Sequence, residues 1–219
     1  MLEYFQLLLS LHVNNYVKGA TNMSTVVTQV QVALKEWAVT AQALSQGKQI
    51  LILRKGGIHQ EDKNFRLIHP EFLILETYEH QKPELVKPEF SDMCQNLIDS
   101  PPLEREVVSF NLWAKVTDKF ELRDEQDLSK INDKHLWTSE YARSRFHWRP
   151  SQPLTIALLR IYKLHEPVEV PVSSEFAGCK SWIEFNKPVE LYKMTPVLNE
   201  SEYTKMSEKL KEILSASLV

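Results

Sequence analysis

Chemically capable side chains are concentrated in two parts of this chain, and the first is the segment from residue 47 to residue 81. A short apolar run there ends in Arg54-Lys55-Gly56-Gly57. Paired glycines permit a tight reversal, and exposed amides beside cations can hold a phosphate. Neither the spacing of a phosphate-binding loop nor that of a dinucleotide-binding loop is present. A phosphate site and a plain hairpin turn with charged flanks therefore both remain open.

The same segment ends in a second polar group, Tyr78-Glu79-His80-Gln81, directly after an apolar run. A strand end is a good place for a site because the rigid backbone aims the side chains that follow it. If the strand continues, Glu76, Tyr78 and His80 share one side, whereas Glu79 and Gln81 face the other. The acids could serve as a base or as metal ligands. An ordinary polar loop is the alternative interpretation.

The second concentration is a cationic and aromatic block between residues 135 and 150. Such a mixture can bind phosphates and stack nucleic-acid bases. Equally, tryptophans of this kind anchor hydrophobic cores, and the stems of arginines cover them. The candidate binding residues of this block are Arg143, Arg145, Trp148 and Arg149.

The remaining reactive residue types form no recognisable constellation. The histidines show neither an H-x-x-x-H nor an H-E-x-x-H spacing, and there is no G-x-S-x-G motif. Cys94 and Cys179 lie far apart, so each is interpreted as a small buried hydrophobic residue, and a disulfide would require the fold to bring them together. The sequence therefore predicts no metal site and identifies no cofactor.

Composition is that of an ordinary globular protein. The 219 residues are 43% hydrophobic and 25% charged, with a net charge of −3, which gives no overall attraction to nucleic acid. A local basic patch remains possible within that total. No apolar run reaches the roughly 18–20 residues that span a bilayer, so we expect no membrane partner and a cytoplasmic location. Nothing in the composition indicates the oligomeric state.

The N-terminus differs in character from the rest of the chain. The apolar run at residues 7–11 lacks the positive flank and the cleavage site of a signal peptide, because Glu3 precedes it. Met23 opens a conventional polar start. We therefore interpret residues 1–22 as an extension outside the fold, residues 23–198 as one α+β domain, and residues 199–219 as a C-terminal helix.

The order of predicted elements defines the fold class. Apolar residues at helical spacing predict one helix from Val27 to Leu44, ended by Gly47. Further helices are predicted near residues 91–98, 138–146 and from 199 onward, with a short turn capped by Asp124. Predicted strands cover residues 49–54, 65–68, 72–77, 107–122, 154–164, 168–170 and 182–185. Such mixed elements without regular βαβ alternation favour an α+β fold with a mixed, mainly antiparallel sheet that could form a small barrel.

Several of these blocks together resemble a prokaryotic family, domain of unknown function 1802. The resemblance extends over about residues 31–191 and names a family without an assigned activity. The residues that carry it include Ala33-Leu34-Lys35-Glu36-Trp37-Ala38, Leu53-Arg54-Lys55-Gly56-Gly57-Ile58, His69-Pro70 with Phe72, Thr77-Tyr78-Glu79-His80-Gln81, Trp148-Arg149-Pro150 and Gly178-Cys179-Lys180-Ser181-Trp182.

A second resemblance concerns the start of the first segment. A helix followed by Gly47-Lys48 and a strand ending in Arg54 is similar to the opening of the ASCH branch of the PUA-like fold, a small barrel associated with RNA. That branch usually has a glutamate two residues before the arginine, where this chain has Ile52. The resemblance therefore implies a basic groove and aromatic stacking, and leaves hydrolytic chemistry of the ASCH type without its acid.

Three functional hypotheses follow. The first is a nucleic-acid- or nucleotide-binding module for RNA, single-stranded DNA or nucleotide, in which Arg54 and Lys55 meet phosphate and Tyr78 or Trp148 stacks on a base. The second is a phosphoester- or nucleotide-processing enzyme that uses Glu76 or Glu79, with Lys55 and His80 stabilising charge. The third is a protein-interaction module that uses the C-terminal helix.

Overall fold

The computed structural model describes residues 28–55, 67, 69–102, 106–178 and 180–215. Several sequence-based expectations lie outside these residues: the N-terminal extension of residues 1–22, the phosphate-binding role of Gly56 and Gly57, the short strand at residues 65–68, and the buried state of Cys179.

Seven strands and five α-helices make up the described chain. The strands are β1 (Thr28–Trp37), β2 (Leu51–Arg54), β3 (Glu71–Thr77), β4 (Val107–Leu122), β5 (Leu154–Pro171), β6 (Trp182–Leu191) and β7 (Met194–Pro196). The helices are α1 (Ala38–Ser45), α2 (Pro88–Asp99), α3 (Glu125–Lys130), α4 (Ser139–His147) and α5 (Glu200–Ser215). Short 3₁₀ turns cover Pro83–Leu85, Asn132–Lys134 and Ser174–Phe176.

The strands form one mixed, mainly antiparallel sheet in the order β2-β5-β4-β3-β1-β6. Only the β1–β3 pair is parallel among the described ladders. β7 begins two residues after β6 and pairs with Tyr162–Leu164 of β5, so the path of strands returns to the long strand β5. The sheet thus curls round into a small barrel, and the predicted α+β class with a mainly antiparallel sheet is confirmed.

Two apolar clusters hold this arrangement together. The first consists mainly of strand residues and includes side chains such as Leu34, Phe72 and Phe110. The second lies between the sheet and the helices, and includes Leu51, Leu136 and the α5 residues Tyr203, Leu210 and Leu214. Burial of this apolar surface is the main term that favours the fold.

The single helix predicted from Val27 to Leu44 is wrong. Described residues 28–37 form strand β1, and only Ala38–Ser45 is helical. Val32, Ala33 and Leu34 are buried in succession because β1 is covered on both faces, which removes the alternation expected of a surface strand. A strand covered on both faces and the short buried helix after it can together imitate one amphipathic helix.

Two further expectations need correction. β2 and β3 are separated in the sheet by β5 and β4, so these two strands of the segment from residue 47 to residue 81 do not pair with each other, and the turn at Gly56-Gly57 lies outside the described residues. The two strands predicted at residues 154–164 and 168–170 are one strand, β5, because β4 pairs along its length with a register shift near Phe110.

Helices α3 and α4 each begin at a side-chain cap, and the predicted Asp124 cap is confirmed. The Asp124 carboxylate accepts the Gln126 amide at 2.8 Å at the start of α3, and the Thr138 hydroxyl accepts the Tyr141 amide at 3.2 Å at the start of α4. Each cap satisfies a backbone N–H that has no partner inside its helix. The second cap fixes where α4 begins, and therefore which of its side chains face the barrel.

Candidate functional site

Two strand ends and one helix meet at one end of the barrel. β1 ends with Glu36 and Trp37, and β2 ends with Arg54 immediately before Lys55. The Arg54 guanidinium crosses between them, because its Nη1 donates to the carbonyl oxygen of Lys35 at 3.2 Å. Helix α4 closes the cluster from outside. We call this group of side chains, Glu36, Arg54, Lys55, Tyr141 and Arg145, the strand-end cluster.

Glu36 is the acid of the strand-end cluster and is only 7% exposed. One carboxylate oxygen, Oε1, accepts the Trp37 amide at 2.9 Å, and the other, Oε2, lies 3.4 Å from Nη1 of Arg54. Burial raises the pKa of Glu36 above its ordinary value, although the charges of Arg54 and Arg145 act in the opposite direction. The carboxylate is therefore held in place by a weak ion pair.

Arg145 and Lys55 bring α4 and the end of β2 together. Nη2 of Arg145 donates to the Lys55 carbonyl oxygen at 3.4 Å, and the Lys55 ammonium donates to the Phe146 carbonyl oxygen. The ammonium also lies 4.9 Å from the centre of the Phe146 ring. Burial lowers the pKa of Lys55, and the nearby charge of Arg145 lowers it further. The ammonium is thus removed from water, and within the described residues it has no hydrogen bond to a carboxylate.

The pKa of Arg145 is also lowered, chiefly by burial, with further contributions from Arg54 and Arg149, while Tyr141 and Glu36 act in the opposite direction. The charges of Arg54 and Arg149 thus both act on Arg145, which shows that cations crowd this end of the barrel. An arginine stays protonated at any ordinary pH, so this end of the barrel carries several positive charges close together.

Trp148 follows α4 and is in contact with two guanidinium groups. The carbon Cζ of Arg145 lies 4.7 Å from the indole centre, and that of Arg149 lies 4.4 Å from it. Arg149 adopts a φ of 55°, in the left-handed region, which places its side chain back over the ring. Both arginines thus share one aromatic platform beside the strand-end cluster.

An aromatic group supports the cluster from beneath. Tyr141 lies 5.7 Å from Trp37 and 4.7 Å from Trp137 between ring centres, and the two tryptophans meet edge to face at 5.1 Å. Burial raises the pKa of Tyr141, so its hydroxyl stays neutral. Such packing fixes the face of α4 that carries Arg145 toward Glu36.

Glu76 and Tyr78 form a neighbouring pair on β3 and just after it. The Tyr78 hydroxyl donates to Oε2 of Glu76 at 2.8 Å, which fits the prediction that these two side chains share one side. Burial and the Glu76 charge both raise the pKa of Tyr78. Glu76 is the register partner of Glu36 on the parallel strand β1, so both acids leave the same face of the sheet.

Glu79 and His80 do not join this group. β3 ends at Thr77, and the chain turns at His80, whose φ is 66°. The side chains of Glu79 and His80 are 90% and 80% exposed and lie 3.9 Å apart. His80 therefore does not share the side of Glu76 and Tyr78, because the strand does not continue to it.

Arg143 lies on the opposite face of α4. Its Nε is 2.5 Å from Oε1 of Glu125 on α3, and Nε2 of His147 is 2.7 Å from the other oxygen of the same carboxylate. These contacts lower the pKa of Glu125, with the His147 hydrogen bond as the largest cause. Arg143 and Arg145 are thus two residues apart in sequence and belong to different surfaces.

Sequence reasoning missed Glu36 and Tyr141 as members of this region, and it named Gln81 without predicting that the side chain is buried. Gln81 is 5% exposed, and its Oε1 accepts the Val39 amide at 3.2 Å. Its Nε2 is buried with no hydrogen-bond partner within the part of the chain that the structure describes. Glu36 was hidden by the wrong assignment of β1 as helix, whereas the polar–apolar alternation of Gln29-Val30-Gln31-Val32 was a signal for a strand.

The described residues also bear on metal binding and on membrane insertion. Across the described ranges, no three His, Cys, Asp or Glu side chains come together as a group that could hold a metal ion. In the same part of the chain, none of the helices is both long and apolar enough to span a bilayer.

Fold and site together define an α+β barrel-type domain with a cationic cluster at its strand ends. The chain belongs to the family described as domain of unknown function 1802, whose model matches residues 33–209. The resemblance to that family noted from the sequence is thereby confirmed. No curated protein matches the chain.

Solved structures with some likeness to this chain come from the ASCH protein of Zymomonas mobilis. The first has 14% sequence identity and a TM-score of 0.41, and covers 81% of this chain and 93% of its own. Two single-residue variants of that protein give 16% and 14% identity, with TM-scores of 0.39 and 0.42. They cover 81% of this chain in both cases and 94% and 96% of their own.

Proposed function

We propose that this protein is a nucleic-acid- or nucleotide-binding module in which Arg54, Lys55 and Arg145 contact a phosphate group. One observation carries the proposal: the strand-end cluster contains three cationic side chains and a single buried carboxylate, that of Glu36. Several cations close together at a partly buried position favour the binding of an anionic ligand.

The types of the cationic residues favour phosphate. Guanidinium groups present several N–H donors in a fixed fork that matches phosphate oxygens, and an ammonium adds a compact charge. Arg54 and Arg145 are half-buried rather than fully exposed, so their charges are less screened than those of surface residues. In sequence, Gly56 and Gly57 follow Lys55 directly, where backbone amides could add donors.

The neighbouring aromatic side chains favour a ligand that carries a base. Trp148 and Tyr78 are half-buried and flank the cluster. Because two guanidinium groups already lie against Trp148, a base would stack in a layer with an arginine or replace one of them. Such stacking tolerates many sequences, so the module would bind single strands or free nucleotides with little sequence preference.

The overall charge sets the expected strength of binding. A net charge of −3 gives no long-range attraction, so the affinity must come from a few local phosphate contacts. Three such contacts on a single strand correspond to a slope of about −2 in a plot of log affinity against log salt. A much steeper slope would indicate a larger basic surface.

The test is fluorescence anisotropy with labelled single-stranded RNA, single-stranded DNA and a nucleotide, using Arg145→Ala and the matched control Arg143→Ala. Both variants remove one arginine from the same helix, but only Arg145 belongs to the strand-end cluster. We expect R145A to weaken binding by about tenfold or more, as for the loss of one charged hydrogen bond, and R143A to leave it within about twofold.

Two results would contradict the proposal. The first is the absence of binding to all three probes by the unmodified protein. The second is an equal loss in R145A and R143A, because it would place the binding surface outside the strand-end cluster. The probe that binds most tightly identifies which of the three classes of ligand supplies the phosphate group.

A further inference from the structure

Glu36 lies where a bound phosphate would compete with it. We propose that Glu36 is an internal anion that holds Arg54 in the empty site and takes up a proton from solvent when a phosphate group occupies the strand-end cluster. This inference rests on the proposed function and deepens it, because it makes binding at that site dependent on pH through one named residue.

The contacts of Glu36 define the competition. Arg54 faces it from β2, Arg145 and Tyr141 face it from α4, and Glu76 stands beside it on β3. Its Oε2 reaches Nη1 of Arg54 at 3.4 Å, which is long for a charged hydrogen bond. A phosphate oxygen at an ordinary distance would therefore interact more strongly with Arg54 than the carboxylate does.

A bound phosphate should favour protonation of the Glu36 carboxyl group. A phosphate close to Arg54 and Arg145 withdraws their attraction from Glu36 and repels its charge, and both changes favour the protonated form. Burial already favours that form in the empty site. The carboxyl group gains a hydrogen ion from water or buffer, no covalent bond to the ligand forms, and the phosphodiester keeps its single negative charge.

This coupling fixes the direction of the pH dependence. If the complex binds more protons than the free protein, binding tightens as the pH falls. When one proton is taken up, the affinity can change by at most about tenfold per pH unit. This change occurs between the pKa of Glu36 in the free protein and its pKa in the complex. Glu36→Gln removes the competing charge and cannot take up the proton. We therefore expect E36Q to bind about fivefold or more tightly than the wild type at neutral pH.

The test uses isothermal titration calorimetry with an oligouridylate that lacks terminal phosphates, because its phosphodiesters do not titrate between about pH 5 and pH 8. Titrations at one pH in buffers of different ionisation enthalpy count the protons taken up on binding. Wild type should take up a measurable fraction of one proton, and E36Q should take up less by that amount. All histidines are present in both proteins, so their contribution cancels in the comparison.

Glu76→Gln is the matched control, since it neutralises the neighbouring acid on the adjacent strand and should retain the uptake. Binding of the wild type without proton uptake overturns the inference and leaves the proposed function intact. Uptake that is lost in E76Q and kept in E36Q also overturns it, because the proton then belongs to Glu76. Absence of binding by the wild type removes both the proposed function and this inference. Even if E36Q does not fold, the wild-type measurement alone can overturn the inference, because the inference requires proton uptake on binding.

Discussion

Removal of the Arg54 guanidinium should destabilise the protein in a way that depends on pH. Arg54→Met keeps much of the apolar stem and leaves the buried Glu36 carboxylate with the Trp37 amide and the more distant charge of Arg145. Breaking a fully buried ion pair by removing one partner costs about 3–5 kcal/mol. Here the Arg54 side chain is 18% exposed and the contact is 3.4 Å long. We therefore expect a smaller loss, about 2 kcal/mol in the free energy of unfolding at neutral pH.

The pH dependence follows from the raised pKa of Glu36. In the folded state this carboxyl group holds its proton more tightly than in the unfolded chain, where its value is near 4.5. Its ionised form therefore lowers the free energy of unfolding at neutral pH. That stability is regained as the pH falls through the pKa of Glu36 in the folded protein toward 4.5. R54M raises the folded pKa further, so its cost should diminish by up to about 1.4 kcal/mol per pH unit as the pH falls from the folded pKa of Glu36 in R54M to its folded pKa in the wild type.

The assay is urea denaturation of wild type, R54M, E36Q and the double variant, followed by the fluorescence of the five tryptophans at two pH values. E36Q keeps the acceptor for the Trp37 amide and removes the charge, so R54M should cost much less in the E36Q background. If R54M costs the same at both pH values and in both backgrounds, Glu36 and Arg54 are not coupled and the electrostatic account of the cluster is wrong.

Three further substitutions test how the cluster and the barrel are supported. Gly47→Ala should lower the free energy of unfolding by about 1–3 kcal/mol in urea denaturation, because Gly47 has a φ of 68° and an added Cβ atom would lie 2.6 Å from the Leu198 side chain. Part of that loss should disappear when the same substitution is made in the Leu198→Ala background. Thr138→Val removes the cap of α4 and should cost about 1 kcal/mol in the same assay, with no loss expected if the hydroxyl does not cap the helix. Tyr203→Phe removes the 2.6 Å hydrogen bond to Thr117 and should speed amide hydrogen exchange in α5, whereas unchanged exchange would show that apolar contacts alone hold that helix.

The fold class was accessible from the sequence because most elements carry local signals that tertiary structure did not override. The apolar runs of β2 and β3 are bounded by turn residues, and α3 and α4 begin at side chains that can accept a backbone N–H. β1 was missed because Val32, Ala33 and Leu34 are buried in succession, which interrupts the period of two that its first residues show. β7, only three residues long, has too few side chains to show any period.

The candidate site could be predicted from the sequence only in part, because the sequence shows which residues are present but not which side of helix α4 each one faces. A helix separates neighbouring side chains by about 100°, so Arg143 and Arg145 point to different surfaces although both belong to one basic block. Which of the two faces the barrel depends on where α4 begins, and the Thr138 cap sets that point. The same block therefore contributes one arginine to the strand-end cluster and another to an exposed pair with Glu125.

The position of Glu36 shows why motif spacing alone could not describe the chemistry of this site. An acid two residues before Arg54 would stand on β2 itself, and Ile52 occupies that position as part of the apolar core. The carboxylate that meets Arg54 comes instead from β1, 18 residues earlier in the chain. The pairing requires β1 to be a strand parallel to β3 and β2 to end beside it, which no local pattern encodes. Because Glu36 and Arg54 belong to different strands that are not adjacent in the sheet, the exchange of the internal carboxylate for a phosphate that we propose requires no change within β2.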